Sequence, residues 1–223
     1  MTKCLLCQEE FKSQVSLCDL LWGPKISEPS ICPVCPGCFH HRPTGGCPGC
    51  GRACDQDLCP DCQQWKDHYG WLLKNRSLYH YDEAMKDFMV QYKFQGDYRL
   101  HQVFQDEFTK AVQELNPSLV VPIPATEHTM LTRGFNQATE LYAGELTNLL
   151  AHAHHDKTPQ SAKNRQERLA TLQPFVLEES VPFVGQQIVL IDDIYTTGRT
   201  LYHAAELLRN HGCQEIVSVT LAS

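Results

Sequence analysis

No window of the 223 residues approaches the run of about 20 apolar residues that a membrane-spanning helix needs, so membrane insertion is not expected. A basic excess is missing too. Lys and Arg number 19 against 26 Asp and Glu, a formal net charge of −7, which argues against a generally basic nucleic-acid binder and leaves only local patches. The opening Met1-Thr2-Lys3-Cys4 has no signal-peptide character. Together these absences lead to the expectation of a cytoplasmic chain. A further scarcity is positional: after residue 62 cysteine all but vanishes, leaving Cys213 alone. Composition changes sharply near residue 66, so the expected domains are 1–66 and 67–223.

What is present in the first segment is cysteine: 11 of the 12 lie in the first 62 residues. Disulfides are rare in a reducing compartment, whereas paired Cys-x-x-Cys knuckles are the usual format of structural zinc. Four pairs can be laid out without overlap: Cys4/Cys7, Cys32/Cys35, Cys47/Cys50 and Cys59/Cys62. Each lets two thiolates grip one metal from a tight turn, and two pairs complete a tetrahedral site. Sequential grouping predicts a compact unit from Cys47/Cys50 and Cys59/Cys62, and a longer loop closed by Cys4/Cys7 and Cys32/Cys35. Cys18, Cys38 and Cys54 are surplus, Cys35/Cys38 is also a legitimate knuckle, and redox or iron–sulfur chemistry are competing readings. The expectation is one or two structural Zn²⁺ ions in a double zinc ribbon. A segment poor in Leu, Ile and Val needs that metal to fold and should unfold on chelation while the second domain stays folded.

In the second segment, Val189-Leu190-Ile191-Asp192-Asp193-Ile194-Tyr195-Thr196-Thr197-Gly198-Arg199-Thr200-Leu201 reads as a buried strand, an acidic tip, a phosphate-sized loop and a helix N-terminus. Such a junction offers backbone N–H groups and a positive dipole end to a phosphate, and the carboxylates can accept from ribose hydroxyls or face Mg²⁺. Two adjacent acids on a buried strand repel unless a ligand or cation compensates. The segment resembles the phosphoribosyl pyrophosphate (PRPP) motif of the type I phosphoribosyltransferases. That resemblance implies that Asp192 and Asp193 hold the ribose hydroxyls as the catalytic pair. It also implies that Ile194, Tyr195, Thr196, Thr197, Gly198, Arg199 and Thr200 complete the PRPP-binding segment around the 5-phosphate, with Mg²⁺ accompanying PRPP.

The remaining pattern alternates helices with strands. Asp82 is expected to cap a helix with Met85, Phe88, Met89 and Tyr92 on one face, stopped at Gly96. Phe104, Phe108, Ala111, Val112 and Leu115 mark a second helix, ended by Asn116-Pro117. Ala138, Leu141, Tyr142, Leu146, Leu149 and Leu150 suggest a third. Leu119–Pro124, Ile188–Ile191 and Ile216–Leu221 read as strands, with a helix through Leu201, Ala204, Ala205 and Leu208 between the last two. Residues 63–80 read as a connection packed on the second domain. The order predicts a doubly wound parallel α/β sheet with ligand at the carboxyl ends of its strands.

Val121-Pro122-Ile123-Pro124 followed by Arg133-Gly134-Phe135-Asn136-Gln137, together with the PRPP motif, the knuckles and Tyr92-Lys93-Phe94-Gln95-Gly96-Asp97, is similar to the ComF family of competence-associated proteins. The resemblance spans essentially the whole chain and implies a zinc ribbon joined to a phosphoribosyltransferase-like domain. By position, Arg133 would meet the pyrophosphate by bidentate hydrogen bonds, with Asn136 and Gln137 adding polar contacts and Lys93 a cation. Residues 156–174, with Arg165 and Arg168, fall where type I enzymes carry a mobile loop, although Thr171 stands where that family's Asn is expected. His152, His154 and His155 are read as solvent-exposed at a helix end rather than as metal ligands. The family implies a role in DNA uptake, with single-stranded DNA and a ComFA-like helicase/ATPase as partners. An active phosphoribosyl transfer from PRPP to a nitrogen acceptor is the alternative, for which no base-recognising segment is identifiable.

Overall fold

The computed structural model describes residues 2–12, 30–43, 45–94, 97–153, 173–178 and 185–223. Cys18, Gly96, His154, His155 and the expected mobile loop as far as residue 172 lie outside them.

Four parallel strands form the central sheet: β3 (Lys74–Tyr79), β4 (Leu119–Pro122), β7 (Gln187–Ile194) and β8 (Glu215–Ala222), in the order β3-β8-β7-β4. Period-two alternation assigns each strand's side chains to opposite faces. On β7, Ile188 and Leu190 join one core while Val189 and Ile191 join the other. Helix α6 (Arg199–Asn210) covers the first face through Leu201, Ala204, Ala205 and Leu208. Helices α2 (Glu83–Phe94) and α3 (Gln105–Gln113) cover the second through Met85, Phe88, Met89, Tyr92, Phe108, Ala111 and Val112. Helices on both faces make the sheet doubly wound. Asp82 caps α2 as the sequence suggests, accepting the Met85 N–H at 3.0 Å.

The first segment joins both cores. β1 (Thr2–Lys3) and β2 (Glu10–Phe11) pair antiparallel around the first knuckle. Phe39 packs edge-on against Phe88 and Phe104, with centroids 6.1 and 4.9 Å away. Cys47, Cys50, Cys59 and Cys62 are buried in the other core beside Tyr195 and Tyr202. Helix α1 (Pro60–Tyr69) starts directly after Cys59, with Pro at its first turn, where the missing N–H costs nothing. It runs across position 66.

Residues 63–80 are more than a connection. They supply the rest of α1 and the edge strand β3, whose Lys74, Asn75, Arg76, Ser77 and Tyr79 pair with β8. Alternation there is polar on one face: Asn75, Ser77, Ser218 and Thr220 hydrogen-bond as a buried network at 2.8–3.2 Å. Apolar periodicity could not announce this strand.

The third expected helix is shorter than its periodicity suggests. α4 (Glu127–Arg133) precedes it, and α5 (Gln137–Glu140) makes one turn before the chain opens. Gly144, Thr147 and Asn148 are poor helix formers. β4 is the sheet's edge, and its Val120 carbonyl accepts the Thr147 N–H at 2.9 Å, an alternative to the helical bond. Leu141, Tyr142, Leu149 and Leu150 are buried all the same. β5 (Leu150–His152) then pairs antiparallel with β6 (Phe175–Leu177). His152 therefore sits on a strand, not a helix end, with Nε2 3.0 Å from the Pro124 carbonyl oxygen.

Candidate functional site

β7 outlasts its neighbour. Pairing with β4 ends at Pro122↔Ile191, and the Ile123 N–H adds one bond to the Ile191 carbonyl at 2.9 Å. Pairing with β8 continues through Asp192 and Ile194. The strand therefore carries both acids past the end of β4, at the carboxyl edge where such sheets open a ligand crevice.

The two carboxylates are not equivalent. Asp193 Oδ2 lies 2.7 Å from Lys93 Nζ, a pair whose side chains are only 13% and 18% exposed. Lys93 reaches it from the last turn of α2. Asp192 accepts the Asp193 N–H at 2.8 Å. Burial first, and then the Asp193 charge, push the Asp192 carboxyl up to about 8, with the Asp193 N–H and Lys93 opposing. One acid is paired with lysine, and the other holds a proton that a cation entering the tip would displace to solvent.

Past the acids the chain turns into α6 through Gly198, whose φ of 80° is a left-handed conformation that favours glycine. A Cβ there would strike the buried Tyr195 ring. Asp192, Ile194, Tyr195, Thr196, Gly198, Arg199 and Thr200 line one small cradle at the α6 N-terminus. Tyr195 Oη is buried there and, among the described residues, lacks a hydrogen-bond partner. The N–H groups of a helix start, the threonine hydroxyls and the Asp192 carboxyl fit a sugar phosphate with Mg²⁺: Asp192, with Asp193 next to it in the strand, is the group that would face the cation.

Arg133 does not line that cradle. It ends α4, where Gly134 takes φ 82° as the cap, and its Nη1 donates to Gln137 Oε1 at 3.0 Å. Asn136 is a structural tie: its Nδ2 donates to the Ile123 carbonyl at 2.9 Å, fastening this loop to the tip of β4. The Gln137 carbonyl accepts the Tyr92 hydroxyl at 3.0 Å, next to Lys93. Arg133 thus ends a helix that follows β4 on the same edge of the sheet as the acids, and its partner Gln137 is bonded to Tyr92, next to Lys93.

The eight knuckle cysteines gather as two tetrads, Cys4/Cys7/Cys32/Cys35 and Cys47/Cys50/Cys59/Cys62, with ligand atoms within 4.8 Å of one another. Tetrahedral zinc at about 2.3 Å from each sulfur would space sulfurs about 3.8 Å apart. Cys4–Cys35 and Cys7–Cys32 stand at 3.8 Å, and Cys50–Cys59 at 3.5 Å, far from disulfide length. Backbone N–H groups already point at sulfur, from Cys32 to Cys4 at 3.3 Å and from Cys59 to Cys47 at 3.4 Å. The Cys62 thiol above all, with Arg52 assisting, pulls Cys50 down to about 5 despite burial. Both donor sets fit zinc. Cys38 and Cys54 stay outside them, and Cys213 is buried in the core.

Two contributors escaped the motif reading. Arg52 Nη2 donates to the Thr196 carbonyl, and Trp65 Nε1 donates to the Thr197 carbonyl at 2.7 Å. Arg52 is further tied to Asp61 at 3.0 Å. Trp65 stacks on Tyr202 of α6, centroids 4.9 Å apart. The spacing of Trp65 and Tyr69 on one face of α1 was the available signal for that contact.

Comparison with known proteins agrees with this architecture. Residues 131–223 match the family described as Phosphoribosyl transferase domain. The chain is 34% identical to Competence protein ComFC of Streptococcus pneumoniae, over 98% of this chain and 99% of that one. It is 32% identical to Competence protein ComFC of Bacillus subtilis, over 96% and 92%. Competence protein F of Haemophilus influenzae is 26% identical over 83% of this chain and 93% of its own. Among the described residues no helix is long and apolar enough to cross a membrane.

Proposed function

The chain belongs to the ComFC family of competence proteins, and from that premise we propose that it binds PRPP or a related sugar phosphate with Mg²⁺ while serving DNA uptake in natural transformation. The observation that carries the ligand is the open tip of β7, where Asp192 and Asp193 stand beside the Thr196–Thr200 loop at the start of α6. In this reading the acids take the ribose hydroxyls and the loop takes the 5-phosphate. Arg133, at the end of α4, takes the pyrophosphate side. Mg²⁺, when bound, supplies charge neutralisation between the diphosphate and the acids. Zinc in the two tetrads is structural.

The proposed setting is the cytoplasmic side of the membrane, with incoming single-stranded DNA and a ComFA-like helicase/ATPase as partners. The family supports this setting, and the net charge of −7 favours a local rather than general contact with DNA. The proposed division into residues 1–66 and 67–223 separates ribbon from sheet by composition. A second reading, phosphoribosyl transfer to a nitrogen acceptor, draws support from the domain match over residues 131–223.

Complementation tests the proposal. A transformable host lacking the chain receives Asp192→Asn/Asp193→Asn, with folding verified on purified protein. Loss of transformation with folding intact is expected, and wild-type transformation frequency would refute a role for the sugar-phosphate site in uptake. Pyrophosphate release from PRPP on addition of nucleobases would favour the transfer reading.

A further inference from the structure

The phosphate loop is held from outside its own domain. Two successive carbonyls, of Thr196 and Thr197, are occupied by Arg52 and by Trp65. In a trans peptide the carbonyl of one residue and the N–H of the next lie antiparallel in one plane. Fixing the Thr196 carbonyl therefore fixes the Thr197 N–H, and fixing the Thr197 carbonyl fixes the Gly198 N–H. Both N–H groups are turned away from the cysteine module, at the start of a helix, where an anion is favoured. Left to itself, a Thr-Thr-Gly loop samples orientations in which a carbonyl faces the anion and repels it.

Both donors are anchored by the second tetrad. Arg52 lies two residues past Cys50, and its carbonyl accepts the Cys47 N–H at 2.8 Å, closing the knuckle. Trp65 stands three residues past Cys62 on α1, a helix whose N-cap is Cys59. Asp61 of the same helix holds the Arg52 guanidinium at 3.0 Å, and that guanidinium lies 5.9 Å from the Tyr195 ring centroid. Trp65 in turn stacks on Tyr202, whose hydroxyl accepts the Leu73 N–H at 3.1 Å. Without the metal nothing cross-links the four sulfurs, and this frame is free to open.

We infer that Arg52 and Trp65 are positioning residues for the phosphate loop, so that metal in the Cys47/Cys50/Cys59/Cys62 site sets the affinity of the sugar-phosphate site. This rests on the PRPP reading above. The test is calorimetric titration of PRPP with Mg²⁺ into the metal-loaded chain, with metal content and melting temperature measured for each variant. Trp65→Phe keeps an aromatic ring on Tyr202 and loses the indole N–H; it should weaken binding about 3- to 10-fold with metal content unchanged. Arg52→Met should weaken it comparably, and Arg52→Lys, which retains a donor and the charge, should recover most of the loss. Cadmium substitution reads the coupling without any variant: saturation with PRPP should shift the cadmium NMR resonance of the second tetrad and leave that of the first in place. If wild type binds PRPP while both variants bind within about twofold of it, or neither resonance moves on saturation, the coupling is overturned and the sugar-phosphate reading stands. If metal-loaded wild type does not bind PRPP, that reading falls and this inference falls with it.

Discussion

Replacing Asp192 by Asn separates two effects of pH that run in opposite directions. The Asp192 carboxyl is pushed up to about 8, by burial and then by Asp193, whereas an unfolded Asp titrates near 3.9 as an order-of-magnitude reference, about four units lower. A folded pKa raised above the unfolded one means that the native state holds the proton more tightly. Its stabilising contribution is complete below the unfolded pKa and is lost as pH rises through about 8. Integrating the proton-binding difference from pH 7 to pH 9 gives a loss of roughly 1 kcal/mol. For a chain of this size that is about 2–4 °C in Tm. Ligand binding runs the other way. Ribose hydroxyls and Mg²⁺ call for the carboxylate, so affinity for PRPP with Mg²⁺ should rise about tenfold over the same interval. Lys93 and Asp193 face the same group, but their contributions and those of the thiols subtract when wild type is compared with Asp192→Asn. Thermal denaturation by circular dichroism across this range should show the variant already above wild type near pH 7 and further above it near pH 9. Parallel loss of stability in the two proteins would refute the assignment of a raised pKa to Asp192.

Lys93→Met leaves Asp193 half-buried without its cation, and should cost about 1.5–3 kcal/mol in denaturant unfolding, the range for a hydrogen bond to a charged group. Because Lys93 opposes the rise at Asp192, the same variant should move the Asp192 midpoint further alkaline. Gly198→Ala forces a side chain into φ 80° and against Tyr195. It should lose more than about 1 kcal/mol of stability and weaken PRPP binding, read by melting and titration. Metal analysis should find two zinc ions per chain, one for each tetrad. With roughly 10–16 kcal/mol of apparent binding energy for a structural zinc in peptide systems, strong chelation should unfold the ribbon. The main cooperative transition of the sheet should survive, and concerted loss of both would contradict the proposed division near residue 66.

The parts legible in the sequence are those where one local rule decides. Asp82 three residues before Met85 is a cap in the chain and in the structure. Leu201, Ala204, Ala205 and Leu208 share one helix face and one core. Cys-x-x-Cys spacing alone brings two thiols to a turn, and sequential pairing of the knuckles matches the tetrads. Legibility ended where tertiary partners decide. β3 alternates polar residues because Asn75 and Ser77 bond Ser218 and Thr220 across the sheet, so its pattern read as a connection. The apolar run from Ala138 to Leu150 has helical spacing, but the free edge of β4 takes the Thr147 N–H. Lys93 is 100 residues from Asp193, and Arg52 is 144 from Thr196, separations no local motif can bridge.

The β7 tip and its loop are proposed to hold a sugar phosphate. The most direct measurement is calorimetric titration of PRPP with Mg²⁺ into the zinc-loaded chain, alongside Asp192→Asn/Asp193→Asn. Wild type should show saturable one-site binding, lost when Mg²⁺ is omitted and abolished in the double variant while its melting transition persists. Absence of binding by folded, zinc-loaded wild type, or equal binding by the double variant, would contradict that proposal.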